Sequence, residues 1–287
     1  MLAQRAGETL EYIRRRGIPA PPNNRLQRAI QLTKRVNAEL TDGRKLSDYP
    51  DDELARMSEC WRTMWEAFVV GHAISQRRAS TKAITDDLLK AFLKGADLAA
   101  DEPDPWPRNT QFEAATAAFL IQSGITVSRG EPDFRIQFYS ESAGVAVKRL
   151  TSVKPTKVYD RLREGAQQLR DNGCRGFVSL SIDNWVSDLG TERDPMVVGR
   201  LFNHQVREAH TQLDRISERA VVLGVFLTVS WSRWDIRSDM PYLQWSVPQQ
   251  VFCFANSAYS KLQYSAFFDP ARLRRENSLR ELVALVD

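Results

Sequence analysis

The amino-acid sequence predicts an α/β protein in which an all-helical amino-terminal domain precedes a domain built on a mixed central sheet. Apolar residues recur at helical spacing through residues 1–100, whereas residues 133–139 and 145–150 alternate apolar and polar side chains with the period of a strand. Between these regions, residues 101–107 are acidic and rich in proline, which is typical of a connector. We therefore expect a helical domain, a connector, and a sheet-containing domain over residues 108–287.

The amino-terminal domain is predicted to contain three main helices. A break rich in proline at 17–22 separates the first two, and Asn23 or Asn24 is suited to cap the second. The third begins after Pro50 with three consecutive acids, which the positive end of the helix dipole favours. A shorter helix is expected near residues 86–93. The apolar stripes that predict a packed core are Leu2, Ala6, Leu10 and Ile13; Leu26, Ile30 and Val36; and Leu54, Met57, Trp61, Trp65 and Phe68.

The second domain is predicted to begin with the order helix, three strands, helix, strand. The expected bounds of these elements are 109–123, 125–129, 133–139, 145–150, 156–171 and 176–182. Gly144 is expected to end the turn between the second and third strands, because glycine accepts a positive φ. Four later elements extend the sheet and its covering helices. They are a helix with the stripe Phe202, Val206, Ala209, Leu213 and Ile216, strands near 221–229 and 251–254, and a last helix with Leu279, Leu282, Val283 and Val286.

Polar side chains on the two hairpin strands predict a candidate site. Because side chains two positions apart in a strand point to the same face, Ala146 and Lys148 share a face, and Asp133 on the preceding strand can join them. Taken singly, Asp133 is also typical of a turn and Lys148 of a strand edge. Together they align a carboxylate with a lysine that projects from a buried strand.

The motif Pro132-Asp133 followed by Ala146-Val147-Lys148 resembles that of the PD-(D/E)xK, or restriction-endonuclease-like, nuclease superfamily. Two further signals stand in the order of that family. The stretch 108–113 opens a helix before the hairpin, and Gln167-Gln168 lies on the helix after it. The resemblance spans roughly residues 105–185. It implies an αβββαβ core and Mg²⁺-dependent hydrolysis of phosphodiester bonds, with Mn²⁺ as a substitute ion and DNA as the expected substrate.

The resemblance also implies a role for each motif residue. Asp133, the backbone carbonyl of Val147 and Glu113 would bind the metal ion, because Mg²⁺ prefers oxygen ligands. Lys148 would orient the attacking water or stabilise negative charge in the transition state. Ala146 stands where the family has a glutamate or an aspartate, so one expected metal ligand is missing. Two explanations are open: alanine replaces a natural acid in an inactivated nuclease, or it is native to a nucleic-acid-binding or scaffolding protein.

Helix geometry bears on two of these assignments. Thr110 and Glu113 also match a capping box, in which both side chains satisfy backbone donors at the start of a helix. Of the two adjacent glutamines, Gln168 falls beside the apolar stripe of its helix and Gln167 falls on the opposite side. Gln168 is therefore the predicted site residue, and the alternative is that this helix presents a solvated polar surface.

Basic residues concentrate immediately after the hairpin. Between Lys148 and Arg175 the sequence has eight basic residues and three acidic ones, whereas the whole chain carries a net charge of only +4. A basic stripe beside a candidate site is what a phosphate backbone requires, although a solvated helix face has the same composition. The residues expected to bind nucleic acid are Arg149, Lys154, Lys157 and Arg161.

Composition limits the remaining classes of function. The longest nearly continuous apolar run, residues 220–228, is too short to span a bilayer, and Arg14-Arg15-Arg16 lies where a signal peptide needs apolar residues. We therefore expect a cytoplasmic protein without a membrane partner. Three widely spaced cysteines predict neither a disulfide framework nor a zinc site. The helical domain is expected to mediate self-association or contact with a protein partner. Bacterial members of the nuclease family often act in defence against foreign DNA, and that is the expected role here.

Overall fold

The computed structural model divides the chain into two compact units. One comprises Met1–Gln122 with part of the later chain, and the other comprises Ser123–Trp231 and Trp245–Arg274. We call them the helical unit and the sheet unit. The structure describes residues 1–76, 82–98, 101–150, 156–183, 200, 203–204, 207, 211–212, 214–228, 231–235, 242–246, 249–253, 263–271 and 274.

The helical unit is organised around its longest helix. Helices α1 (Leu2–Arg15), α2 (Arg25–Thr41) and α5 (Trp106–Gln122) pack against α3 (Asp51–Ser75), and α4 (Asp86–Lys90) packs against α1 and α5. The predicted apolar stripes of α1 and α2 are fully buried. Burial of these stripes supplies the main driving force for helix packing, so the prediction of a helical amino-terminal region is confirmed.

Capping side chains decide where two helices of this unit begin. Asn24 caps α2, because its side-chain oxygen accepts a hydrogen bond at 3.0 Å from the N–H three residues on. In contrast, α5 begins at Trp106, whose N–H donates to the Asp104 carboxylate at 2.9 Å. This start lies inside the stretch predicted as a connector. Since α5 packs against α3 and α4, the compact unit ends after Gln122 rather than at 101–107.

The sheet unit is built on a mixed six-stranded sheet with the order β1-β2-β3-β4-β5-β8. The first three strands are antiparallel, β3, β4 and β5 run parallel, and β8 is antiparallel to β5. Strands β6 and β7 pair separately, and most of their residues belong to the helical unit. The strands are β1 (Val127–Arg129), β2 (Phe134–Phe138), β3 (Glu141–Arg149), β4 (Gly176–Ser181), β5 (Val222–Thr228), β6 (Trp231–Asp235), β7 (Tyr242–Ser246) and β8 (Gln249–Cys253).

Helices cover both faces of this sheet. Helix α6 (Thr156–Asp171), which has the predicted bounds, connects β3 to β4 and packs its apolar stripe on one face. On the other face, a helix over residues 263–271, here α7, places Phe267 and Phe268 against Phe138 of β2. The α/β class is therefore confirmed, and the chain order α5, β1, β2, β3, α6, β4 agrees with the predicted order of elements.

The β2–β3 hairpin turns at a different place from the predicted one. Phe138 pairs with Glu141, so the loop has only two residues, Tyr139 and Ser140. Tyr139 takes the positive φ, at 52°, and Gly144 lies inside β3. Gly144 is needed for another reason: a Cβ there would lie 2.7 Å from the Leu169 side chain, which packs over it from α6.

Several predicted elements lie partly or wholly outside the described residues. The last helix, with Leu279, Leu282, Val283 and Val286, is outside them, as are Phe202, Val206, Ala209 and Leu213 of the helix before it. Ile216 is described and is buried beside α6. In the described parts of the chain, no helix combines the length and the apolar composition that crossing a membrane requires.

Candidate functional site

Asp133 lies at the start of β2, directly across the sheet from Ala146. Phe134 pairs with Val145, so Asp133 and Ala146 are the next opposite pair, and their side chains share the α6 face. The Asp133 carboxylate accepts a hydrogen bond at 2.7 Å from the N–H of Val147. The predicted common face of Asp133, Ala146 and Lys148 is therefore present in the sheet.

Gln168 links the lysine to the start of β2. The Lys148 ammonium donates to the Gln168 side-chain oxygen at 2.6 Å, and the Gln168 amide donates to the carbonyl of Pro132. The same amide lies 3.5 Å from the second carboxylate oxygen of Asp133. Gln167 instead contacts Asp171 and Arg170 on its own helix. Gln168 rather than Gln167 therefore lies beside Lys148 and Asp133, as helical geometry predicted.

Burial dominates the electrostatics of Asp133. It raises the pKa of the carboxyl group, and the opposing effects that lower this pKa come first from the Val147 N–H and then from Lys148 and Arg129. Arg129, at the end of β1, also donates to the backbone carbonyl of Asp133 at 3.2 Å. The sequence analysis did not identify Arg129 as a site residue. The signal that could have identified it is its place at the end of a strand, directly before Gly130.

Ala146 is completely buried in an apolar cluster. The cluster joins β3 to α6 and β4, and it includes Leu162, Ala166 and Val178. Val178 is the register partner of Ala146 on β4. A longer side chain at position 146 would emerge on the same face as Asp133 and Lys148, at the border between this apolar cluster and the polar group.

The backbone carbonyl of Val147 points toward the start of β2. The N–H groups of Gly144 and Leu150 bond to β4, whereas the N–H of Val147 bonds to Asp133 on the other side. In an extended strand the N–H and C=O of one residue point to the same edge, so the Val147 carbonyl points toward β2. The residue opposite it is Pro132, which has no N–H to donate.

Two protein oxygens that could bind Mg²⁺ lie close together at the start of β2. Such an ion takes about six oxygen ligands, several of them from carboxylates or water. Here Asp133 offers one carboxylate and Val147 one carbonyl, and no cluster of three metal-binding side chains exists among the described residues. The second carboxylate that the nuclease motif places at position 146 is thus missing from this group.

Glu113, the third predicted ligand, lies on α5 in the helical unit. It is half-buried in the middle of that helix. Because α5 starts at Trp106, Thr110 and Glu113 do not occupy the first turn, and the alternative of a capping box is wrong. The three residues that the sheet unit brings together are thus Asp133, Lys148 and Gln168.

The four residues predicted to bind nucleic acid differ in their environment. Lys157 and Arg161 lie on the outer side of α6, where they pair with Asp160 and Glu164 at 2.8 and 2.6 Å. Arg149 is buried on the face opposite to Lys148, because it is the next residue along β3. Lys154 lies outside the described residues.

Comparison with known proteins gives no relative from which a role can be transferred. No protein-family model, no curated protein and no solved structure matches this chain.

Proposed function

We propose that the sheet unit is a restriction-endonuclease-like domain that binds nucleic acid beside Asp133, Lys148 and Gln168. Position 146 would be the place of the metal-binding acid that this chain lacks. The observation that carries this proposal is the hydrogen-bonded arrangement itself. A carboxylate, a lysine and a glutamine from three separate segments converge at the start of β2, in the order that the nuclease motif requires.

Phosphodiester hydrolysis in this scaffold would need a second carboxylate. A metal ion held between two carboxylates lowers the pKa of a bound water and neutralises charge on the phosphate, which are the two effects that hydrolysis needs. With alanine at 146, one of these two carboxylates is missing. The chain as written would therefore bind its substrate and cut it slowly or not at all, and the parent enzyme would be a Mg²⁺-dependent nuclease that acts on DNA.

Charge at the site supports binding of a polyanion. Lys148 is bonded to the neutral amide of Gln168, so its positive charge is not cancelled by a direct ion pair with a described residue. Lys157 and Arg161 lie on the same helix as Gln168. Their partners are i,i+3 acids on an exposed surface, and such pairs are weak enough to be exchanged for a phosphate.

A salt series measures whether this helix contacts phosphates. Each phosphate contact on duplex DNA contributes a slope of about −0.9 in log affinity against log salt. The double variant Lys157→Ala, Arg161→Ala should therefore make the slope shallower by up to about 2, as measured by fluorescence anisotropy.

The matched control is the double variant Arg5→Ala, Lys90→Ala. It removes the same charge from the helical unit, and both residues form exposed i,i+3 ion pairs, with Glu8 and Asp87. The control should leave the slope unchanged. Equal slopes for the two double variants would show that α6 presents only a solvated surface.

One observation favours the second candidate, a natively inactive protein that binds nucleic acid or serves as a scaffold. Ala146 fits the apolar cluster between β3 and α6 without exposure to solvent. If alanine is the native residue, no other residue has to change to accommodate it at this position. The two candidates share the binding surface and differ in whether an acid at position 146 creates an active site. A role in defence against foreign DNA remains a proposal on either candidate.

A further inference from the structure

A second concave site lies at the other end of β2. A cavity of about 440 Å³ opens beside Tyr139, in the hairpin loop. Tyr139 is six residues along the strand from Asp133, which corresponds to roughly 20 Å at about 3.3 Å per residue. The cavity is therefore separate from the group formed by Asp133, Lys148 and Gln168. Its volume falls within the range of small-molecule sites.

One wall of the cavity is aromatic. The Tyr139 side chain is 41% exposed, although large apolar surfaces are usually covered. Its hydroxyl donates to the carbonyl of Gln263, and its ring lies 5.6 Å from the Phe267 ring. These two contacts hold the ring in one orientation. The backbone at Tyr139 has a φ of 52°. A fixed, exposed ring is suited to stacking with a planar ligand, because little side-chain freedom is lost on binding.

A guanidinium group lies at the same cavity. The Nε–H of Arg274 donates to the carbonyl of Ser123 at 2.9 Å. Gly124 makes this position accessible, since a Cβ there would lie 2.8 Å from that nitrogen. The terminal nitrogens of Arg274 have no hydrogen-bond partner among the described residues, and a planar fork of N–H donors matches a phosphate or a carboxylate. Among the described residues that line the cavity, Arg274 is charged and none is acidic.

The remaining polar lining suits the edge of a base. The Gln137 amide donates to the carbonyl of Tyr139 at 2.7 Å, which leaves the Gln137 side-chain oxygen as an acceptor. The Thr126 hydroxyl can both donate and accept. We infer that this cavity binds one nucleotide, with its base stacked on Tyr139 and its phosphate at Arg274.

Two sources supply that chemistry. A free nucleotide presents base and phosphate together, and so does a nucleotide within a single strand, whereas a paired base in a duplex is not accessible for stacking. The strand as source rests on the proposed function of the sheet unit, because it assumes that the unit binds nucleic acid. The free nucleotide as source does not rest on it.

The test compares Tyr139→Gly with Tyr139→Phe. Glycine accepts the positive φ and removes the ring, whereas phenylalanine keeps the ring and loses only the hydroxyl bond. Binding of a short labelled single-stranded oligonucleotide, measured by anisotropy, should weaken about tenfold or more in the glycine variant and less than about twofold in the phenylalanine variant. Affinity for a duplex of the same sequence should not change. Arg274→Gln should make the salt slope for the single strand shallower by about 0.7.

Calorimetric titration with thymidine monophosphate distinguishes the two sources. If the unaltered protein binds the monophosphate and Tyr139→Gly does not, a free nucleotide is a ligand of the cavity. If the unaltered protein binds the oligonucleotide but not the monophosphate, the ligand is a nucleotide within a strand. Equal affinities of the glycine variant and the unaltered protein for both ligands would overturn the inference. If Tyr139→Gly weakens single-strand binding while Lys157→Ala, Arg161→Ala does not, nucleotide binding in the cavity is supported and the proposed phosphate contacts of α6 are contradicted.

Discussion

Buried charged side chains have different neighbours in the two units: charges of opposite sign in the helical unit, and neutral hydrogen-bonding groups in the sheet unit. In the helical unit, Arg108 lies 2.7 Å from Glu59 and 3.5 Å from Glu102, and Arg25 lies 4.0 Å from Glu102. Arg25, Glu102 and Arg108 each expose 5% or less of their side chains. In the sheet unit, Asp133 and Lys148 bond to a backbone N–H and to a neutral amide, and neither has a direct ion pair with a described residue.

This difference separates charges that hold a fold from charges that are open to a ligand. A buried ion network costs desolvation and stabilises only while every member keeps its partner. A half-buried carboxylate and lysine with neutral partners keep their charge for an incoming group. Under the proposed function, Lys148 of the sheet unit is the charge available to a ligand, whereas Arg108 of the helical unit is paired with buried carboxylates.

The largest expected effect is on the ion network. Glu102→Ala removes the acid shared by Arg25 and Arg108 and also the acceptor of the Ala96 N–H, which it bonds at 3.0 Å. We expect the free energy of unfolding in urea to fall by about 3–5 kcal/mol, since two buried cations lose a nearby carboxylate and the Arg25 nitrogens have no hydrogen-bond partner among the described residues. Lys90→Ala, which breaks an exposed pair with Asp87, is the control and should have a far smaller effect. Equal effects of the two variants would remove the contrast between the units.

A smaller effect is expected at Asp133. Asp133→Asn keeps an acceptor for the Val147 N–H and removes a costly buried charge, so stability at neutral pH should be equal or higher. Asp133→Ala leaves that N–H without its acceptor and should cost about 1–3 kcal/mol.

The pH dependence of Asp133 has a definite sign. Burial raises the pKa of this carboxyl group in the folded state, so the native protein holds the proton to a higher pH than the unfolded chain does. Its contribution to stability is therefore present at low pH and is lost as the pH rises from the ordinary aspartate pKa through the raised one. Urea unfolding from acid to neutral pH should show this loss in the unaltered protein and not in Asp133→Asn. The same slope in both proteins would contradict the assignment.

The smallest expected effect concerns the two neighbouring glutamines. Gln168→Leu removes the acceptor of the Lys148 ammonium and the donor to the Pro132 carbonyl, which should cost about 1–2 kcal/mol. Gln167→Leu, one residue away, loses only contacts on the helix surface and should stay within about 0.5 kcal/mol. Thermal or urea unfolding of the pair checks this, and a reversed order would mean that Gln168 does not organise the site.

Periodicity was sufficient to predict the shared face of the site. The two-residue repeat of β3 put Ala146 and Lys148 together, and the helical repeat of α6 selected Gln168 over Gln167. Both inferences need only local geometry, because a strand and a helix fix the direction of each side chain relative to its neighbours. The bounds of α6 and the helical amino terminus followed from the same kind of signal.

These local patterns could not predict which residues pair with each other across strands or over long distances in the sequence. The register of β2 and β3 decides that the Asp133 carboxylate meets the Val147 N–H, and this register depends on the two-residue turn at Tyr139. Arg149 was predicted to contact phosphate, but it is buried on the face of β3 opposite to Lys148. The contact between Arg274 and Ser123 joins residues 151 positions apart, which no local pattern indicates.

We propose that the sheet unit is a nuclease scaffold in which position 146 lacks one acid. Ala146→Glu tests this claim most directly, with Ala146→Gln as a control of the same shape without charge and Ala146→Glu, Asp133→Ala as a control without the facing carboxylate. Folding of each variant is checked by circular dichroism, because the position is fully buried. With Mg²⁺ or Mn²⁺, the folded glutamate variant alone is predicted to cut DNA, and EDTA should stop it. A folded glutamate variant that cuts neither single- nor double-stranded DNA nor RNA would contradict the account.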